Sequence, residues 1–413
     1  MEVVSSIRPL LAVLVSLVGA FLILLTGERS RNLRESWTIL ASSAKFIIVI
    51  SMIPSVLEGK ALEYTIISIS PGLLLQFRVD AYGLLFGLLA SALWIATSLY
   101  SIGYMRGLNE HSQTRYFFCF AMALSATMGI AFAANLLTLF VFYEMLTIAT
   151  YPLVAHKETP EAIKAGRKYL TYTLTAGVVI LLAIAITYRL TGTLDFKAGG
   201  FLEGCVSAEM LRFLFAALIL GFGVKAAIIP LHEWLPTAMI APTPVSALLH
   251  AVAVVKAGVF GCGRVILYVF GPKLLHDSGL WLILAYFVSF TIICAAMLAL
   301  AQDNLKRRLA FSTINNLAII ILGVALLSPS AIKGAMIHMV NHGFMKITLF
   351  FAAGAIYVKT HKENVSELDG LGRQMPLTMG SFVIGAMGLA GIPLTCGFIS
   401  KWYLCLGSLE AKE

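Results

Sequence analysis

Charge is scarce in this sequence. Only 12% of its 413 residues are Asp, Glu, Lys or Arg, while 59% are hydrophobic and the mean hydropathy is +0.89. Soluble globular chains carry roughly 25% charged residues, so an ordinary water-soluble fold is excluded. Cysteine pairs are also lacking. The six cysteines (Cys119, Cys205, Cys262, Cys294, Cys396 and Cys405) are scattered and form no CxxC. Zinc and iron–sulfur sites therefore lose their usual spacing, and most of these thiols read as small core residues. There is no P-loop and no GxGxxG. His232–Glu233 opens like HExxH but places Pro236 where the second histidine belongs, so the nucleotide-binding and zinc-hydrolase signatures are absent. Short alternating strands of a membrane barrel are missing as well. Basic residues do outnumber acidic ones, 30 to 21. They sit mainly in loops between apolar runs, which reads as membrane anchoring and not as a nucleic-acid surface.

What the sequence has is a succession of apolar runs, each about 17–25 residues long, the length that crosses a bilayer as a helix. About twelve spans are expected, over 9–27, 38–57, 80–104, 115–133, 135–155, 166–190, 212–234, 243–270, 279–301, 308–327, 331–358 and 376–409. The first run, Pro9 to Thr26, has no small-residue cleavage site after it and reads as a permanent helix. Tyr64–Phe77, rich in Ile, Ser and Thr and cut by Pro71–Gly72, reads as a short strand pair outside the membrane. The fold class is thus an all-α polytopic membrane protein. Loops after odd-numbered spans hold Arg29, Arg31, Arg34, Arg106, Arg115, Lys157, Lys164, Arg167, Lys168, Lys306, Arg307, Arg308, Lys359, Lys362 and Arg373. The even loops hold only Lys60, Arg78, Arg189, Lys197, Arg212, Lys273 and Lys333. That bias puts the odd loops in the cytoplasm and both termini outside a cell membrane.

Two spans are interrupted. Pro230, Pro236, Pro242 and Pro244 crowd one stretch, and Gly391–Ile392–Pro393 breaks the last. Proline removes a backbone donor, and unsatisfied backbone at membrane depth survives only inside protein or beside water. Paired breaks point to repeats and an ion pathway.

Ionisable residues lie inside the apolar runs: Glu144 in span five, Lys225 in span seven, His250 and Lys256 in span eight, and Lys401 after Pro393. In span eleven, His338, His342 and Lys346 follow i, i+4, i+8 spacing on one helix face. Four lysines and a glutamate at bilayer depth would cost roughly 12–17 kcal/mol unpaired. They must be paired, neutralised or wetted, and Glu144 with Lys225 is the expected pair. Moving the carboxylate would change the proton affinity of the lysine, a physical basis for pumping. Histidine suits the linking positions because it titrates near neutrality. The alternatives are plainer. Lys45, near one end of span two, and Lys401 could snorkel to the interface. Glu144 could be a structural hydrogen-bonding carboxylate. His338 and His342 could only hydrogen-bond across helices, and His232 and Glu233 could cap or line the break. Spacing allows bis-histidine haem ligation through His250, but nothing else supports a redox cofactor.

The stretch GFGVKAAIIPLHEWLPTAMIAPTPVSALLHAVAVVKAGVF resembles the signature region of the antiporter-like subunits of respiratory complex I, Mrp-type antiporters and membrane-bound hydrogenases. QDNLKRRLAFSTINNLAII, HMVNHGFMKITLFFAAGAI, FYEMLTIATYPLV and GIPLTCGFISKW are similar to further motifs of that family, in the same order. The resemblance implies two inverted five-helix repeats, each with a broken helix. It implies three parts: 1–110 as N-terminal helices with the strand pair, 111–275 as the first repeat and 276–413 as a second. Against the family pattern of about fourteen helices the second repeat reads as C-terminally incomplete, with two readings open: a partner subunit supplies the missing helices, or this copy is partly degenerate. The resemblance further implies an ion path through Glu144, Lys225, His250, Lys256, His338, His342, Lys346 and Lys401. The ions are protons or sodium, other membrane subunits are partners, redox chemistry resides on those partners, and this chain holds no cofactor. Competing readings are a structural subunit with a degenerate channel and, ranked last, a stand-alone secondary transporter.

Overall fold

A computed structural model describes residues 2–411. In chain order the elements are β1 (Glu2–Ser5), α1 (Arg8–Thr26), α2 (Arg31–Ile50), α3 (Ile53–Leu57), β2 (Lys60–Ser70), β3 (Leu73–Val79), α4 (Ala81–Gly107), α5 (Gln113–Ala131), α6 (Leu136–Val154), α7 (Pro160–Thr191), α8 (Ala208–Lys225), α9 (Trp234–Thr237), α10 (Thr243–Ala251), α11 (Val254–Arg264), α12 (Pro272–Asp277), α13 (Leu280–Leu300), α14 (Leu305–Ala325), α15 (Pro329–Thr360), α16 (Leu371–Gln374), α17 (Pro376–Ala390) and α18 (Cys396–Glu410). Among the described residues, ten helices are long and apolar enough to cross a membrane. The expected spans seven and twelve are not among them: the 18 residues of α8 carry three charges, Glu209, Arg212 and Lys225, and span twelve is divided into two helices of 15 residues.

Local chemistry sets the helix starts. Ser30, Asp80, Asn135, Thr159, Ser207, Asn304 and Ser328 each accept a hydrogen bond from the backbone N–H three residues on, satisfying one of the free donors of a first turn. Proline occupies the first turn of α7, α15 and α17, where its missing N–H costs nothing.

The strand pair forms where expected. β2 and β3 are antiparallel, with Tyr64 opposite Phe77. A third strand, β1, pairs with β2 in parallel, Glu2 opposite Lys60, and lacked a signal because four residues show no useful periodicity. At the hairpin turn Gly72 has φ +75°. A Cβ there would fall 2.4 Å from the Gly192 carbonyl oxygen, and the Tyr188 hydroxyl donates to the Pro71 carbonyl at 2.9 Å. The turn is thereby docked on the end of α7.

Within the span Thr243–Phe270 every residue except the half-buried Leu267 and Tyr268 is buried, and the span forms the centre of the bundle. At the other extreme, α13 turns Ile283, Tyr286, Phe290, Ile293 and Met297 outward, each more than half exposed. A stripe of that kind fits hydrocarbon and would not stay unpaired in water. The cysteine expectation fails in part: only Cys119 and Cys262 are buried, while Cys205, Cys396 and Cys405 are exposed.

One charged anchor ties α11 to α4. Arg264, 1% exposed, donates to both oxygens of Asp80 at 2.5 and 2.8 Å, and Asp80 also accepts from Gly83 N–H at the start of α4. The rings of Tyr268, Phe260, Phe196 and Tyr82 surround the guanidinium at 4.5 to 5.3 Å. Burial pushes the Asp80 carboxyl up, but the Arg264 charge and its hydrogen bonds outweigh this and hold it below the ordinary 3.8.

Candidate functional site: a buried row of lysines and histidines

Helix interruptions position this site. The α8 helix ends at Lys225 itself, and an irregular segment containing Pro230 follows before the short α9. The four prolines do not make one hinge. Pro230 lies in the break and Pro236 inside α9, while Pro242 and Pro244 cap and open α10. The second break, Gly391 to Thr395, separates α17 from α18 and contains Pro393. A third interruption was not expected. The central span divides at Val252–Ala253, between His250 on α10 and Lys256 on α11. No proline or glycine marks it in the sequence. Ala253 takes φ −99° and ψ −82°, outside the helical region, within fully packed surroundings.

Lys225, His250, Lys256, His338, His342 and Lys346 are all fully buried. Among the described residues none of these lysines has a carboxylate within 4.0 Å. Each donates instead to a backbone carbonyl of a neighbouring helix. Lys225 Nζ reaches Tyr143 O at 2.5 Å and lies 3.3 Å from the centre of the Tyr143 ring. Lys256 Nζ reaches Met339 O at 2.5 Å, and Lys346 Nζ reaches Leu309 O at 2.9 Å. No ion pair within 4.0 Å joins Lys225 to Glu144 among the described residues; the lysine donates to the carbonyl of the residue before the glutamate. Glu144 turns toward α7, where a Cβ on Gly177 would lie 2.6 Å from its Oε1, and among the described residues that oxygen has no hydrogen-bond partner. Glu144 also borders a cavity lined by Phe118, Met122, Phe140, Met145 and Pro152.

The histidines divide into two kinds. His338 is held on both sides, Nδ1 by Ser400 Oγ at 2.9 Å and Nε2 by Asn316 Oδ1 at 3.0 Å. Among the described residues His250 and His342 have no partner on either ring nitrogen. His250 stacks on Phe350, with centroids 4.8 Å apart, and His342 lies 6.2 Å from the His338 ring. Buried polar atoms are ordinarily hydrogen-bonded, so two bare imidazoles in one row are exceptional. Close backbone approaches knit the row together. A Cβ on Gly258 would meet Ala226 N at 2.3 Å, which seats α11 against the end of α8 beside Lys225. A Cβ on Gly343 would lie 3.3 Å from Ala251 O, at the central break.

Lys401 closes the row differently. It is partly exposed, and its Nζ donates to Leu389 O and Ala390 O at 2.6 and 3.1 Å, the last carbonyls of α17. That is C-terminal capping by a lysine across a break. The interfacial reading of Lys45 is corrected. This lysine is fully buried, donates to Leu124 O at 2.8 Å and lies 4.4 Å from the centre of the Trp94 ring. Glu233, by contrast, is exposed and pairs with Lys168 at 2.6 Å. Asn316 and Ser400 carry a legible signal, being polar residues within apolar runs, but neither titrates and neither stood out beside the charged positions.

These features define a polytopic helical membrane protein whose interrupted helices carry several fully buried lysines and histidines. The chain belongs to the family described as "NADH:quinone oxidoreductase/Mrp antiporter, TM", whose model matches residues 133–413. It is 31% identical over 386 residues to NADH-quinone oxidoreductase subunit N of Desulforudis audaxviator, covering 92% of this chain and 74% of that one. It is 32% identical over 345 residues to hydrogenase-4 component B of Escherichia coli, covering 80% of this chain but only 50% of that protein. Its fold matches a chain of the membrane-bound sulfane sulfur reductase, an archaeal respiratory membrane complex, with a TM-score of 0.89 and 25% identity over 99% of this chain and 83% of the other.

Proposed function

We propose that this chain is the ion-translocating membrane subunit of a multisubunit complex of the respiratory or antiporter type, and that protons are its ion. The observation that carries this reading is the row from Lys225 through His250, Lys256, His342, His338 and Lys346 to Lys401, in which no lysine has a carboxylate partner within 4.0 Å among the described residues. A lysine bonded only to a carbonyl can exchange its proton without breaking an ion pair. Two unbonded imidazoles beside the central break are free to accept and donate. Sodium needs a cluster of oxygen ligands, whereas this row offers mostly cationic or neutral nitrogen groups, and a fixed cation repels another.

In this reading Glu144, at the α6–α7 contact, sets the charge felt by Lys225, and small shifts of α6 or α7 modulate the load on the first lysine. The breaks after Lys225 and before Lys401 are the movable parts of two related units, 111–275 and 276–413. The basic loops face the cytoplasm. Redox chemistry, where the host complex performs it, belongs to other subunits. Lys225→Ala and Glu144→Ala are expected to abolish ion pumping in purified complexes that still assemble. Gradient formation in vesicles, read with a pH-sensitive dye, tests this. Wild-type gradients from both variants would leave the chain with a structural role only.

A further inference from the structure

A second set of titratable groups lies at one end of the bundle, apart from the buried row. The α4–α5 loop carries Glu110 and His111, and the α6–α7 loop carries His156. Their ligand atoms all lie within 4.8 Å of one another. His156 is fully buried, and among the described residues neither of its ring nitrogens has a hydrogen-bond partner. Its Nε2 faces Glu110 Oε2 at 4.0 Å, and His111 Nδ1 faces the same oxygen at 4.0 Å. The two imidazoles lie 4.9 Å apart. Glu158 borders the cluster, with Oε2 4.0 Å from His111 Nε2. It is bonded to Arg115, which also donates to His156 O at 3.1 Å.

A buried imidazole with two bare nitrogens is costly without a partner, and here it faces a carboxylate and a second imidazole. Two histidines and one carboxylate, with a fourth position open to water, form a donor set suited to Zn2+. Metal–ligand distances of about 2.0–2.2 Å require the three groups to close slightly. Glu110 and His111 can do so by side-chain rotation, since His111 is partly exposed. We propose that Glu110, His111 and His156 form a Zn2+ site that ties the α4–α5 loop to the α6–α7 loop. It clamps the end of α6, the helix that carries Glu144, to the connection leading into α5. The site stands independently of the ion-translocation reading.

The test uses the full chain in lipid nanodiscs, stripped with EDTA and titrated with Zn2+ against a chromophoric chelator. One site per chain is expected. His111→Ala and Glu110→Gln, both in a surface loop, should each weaken it by at least the ~10-fold that loss of a ligand's supporting partner costs. His156→Gln should do the same. Where that buried substitution impairs folding, the two loop variants decide the matter. X-ray absorption of the zinc-loaded wild type should show two imidazole nitrogens. A Zn2+ affinity within about two-fold of wild type in His111→Ala, or absorption spectra without imidazole ligation, would overturn the proposal.

Discussion

Asp80→Asn isolates the charge that anchors the central span. Asparagine caps a helix about as well as aspartate, so the bond that Asp80 Oδ1 accepts from Gly83 N–H survives. What disappears is the negative charge beside Arg264. That guanidinium cannot release its proton, and at 1% exposure it cannot reach water. Removing one partner of a buried pair costs about 3–5 kcal/mol. The four surrounding rings offset part of this through cation–π attraction of roughly 0.5–2 kcal/mol, which favours the lower end, about 3 kcal/mol. At about 2–4 °C per kcal/mol, the melting temperature should fall by roughly 6–12 °C. Thermal melts followed by fluorescence-detected size exclusion in detergent would measure it. Adding Arg264→Met removes the stranded charge and should recover more than half of the loss, since an apolar replacement of a whole pair is often nearly neutral. The pH dependence has a fixed sign. The folded-state carboxyl is held below 3.8, so the pair's contribution is complete above the unfolded value near 4 and is lost as pH falls through the folded value. The gap between wild type and Asp80→Asn should therefore be constant at neutral pH and close in strong acid. A melting point within about 2 °C of wild type, or a double variant no better than the single one, would refute the argument.

Other outcomes follow from the same geometry. Gly177→Ala places a methyl 2.6 Å from Glu144 Oε1 and should slow ion translocation in assembled complexes without removing any charge; an unchanged initial rate would show that the position of Glu144 is immaterial. His338→Ala leaves Asn316 and Ser400 without their shared partner and should cost about 1–3 kcal/mol, visible as a lowered melting point. Adding Asn316→Leu should recover part of that loss, and strict additivity of the two would argue against the network.

Much of the architecture was legible because hydrocarbon imposes simple rules. Run length gave the spans, Pro71–Gly72 gave the hairpin, and Pro230 and Pro393 marked two breaks. Interactions across helices were less legible. Spacing places Glu144 and Lys225 at similar depth, but it does not say which way each side chain turns, and a lysine is long enough to choose among several acceptors. Lys45 looked like an interfacial residue because it sits toward one end of its run. Only the packing of α2 against α4 and α5 shows it enclosed, over Trp94. The interruption at Val252–Ala253 left no trace at all, because tertiary packing imposes it against ordinary helix-compatible residues.

The carbonyls that hold the lysines have a spectroscopic consequence. Tyr143, Met339 and Leu309 lie inside α6, α15 and α14, where each oxygen already belongs to a helical ladder, and Tyr143 O and Leu309 O also accept from the Thr147 and Thr313 hydroxyls. The added charge-assisted bond lowers the stretching frequency of that one amide further, and this extra lowering fades when the ammonium leaves. Carbon-13 and oxygen-18 labels at three peptide groups would turn the backbone into a recorder of three lysines that have no chromophore of their own.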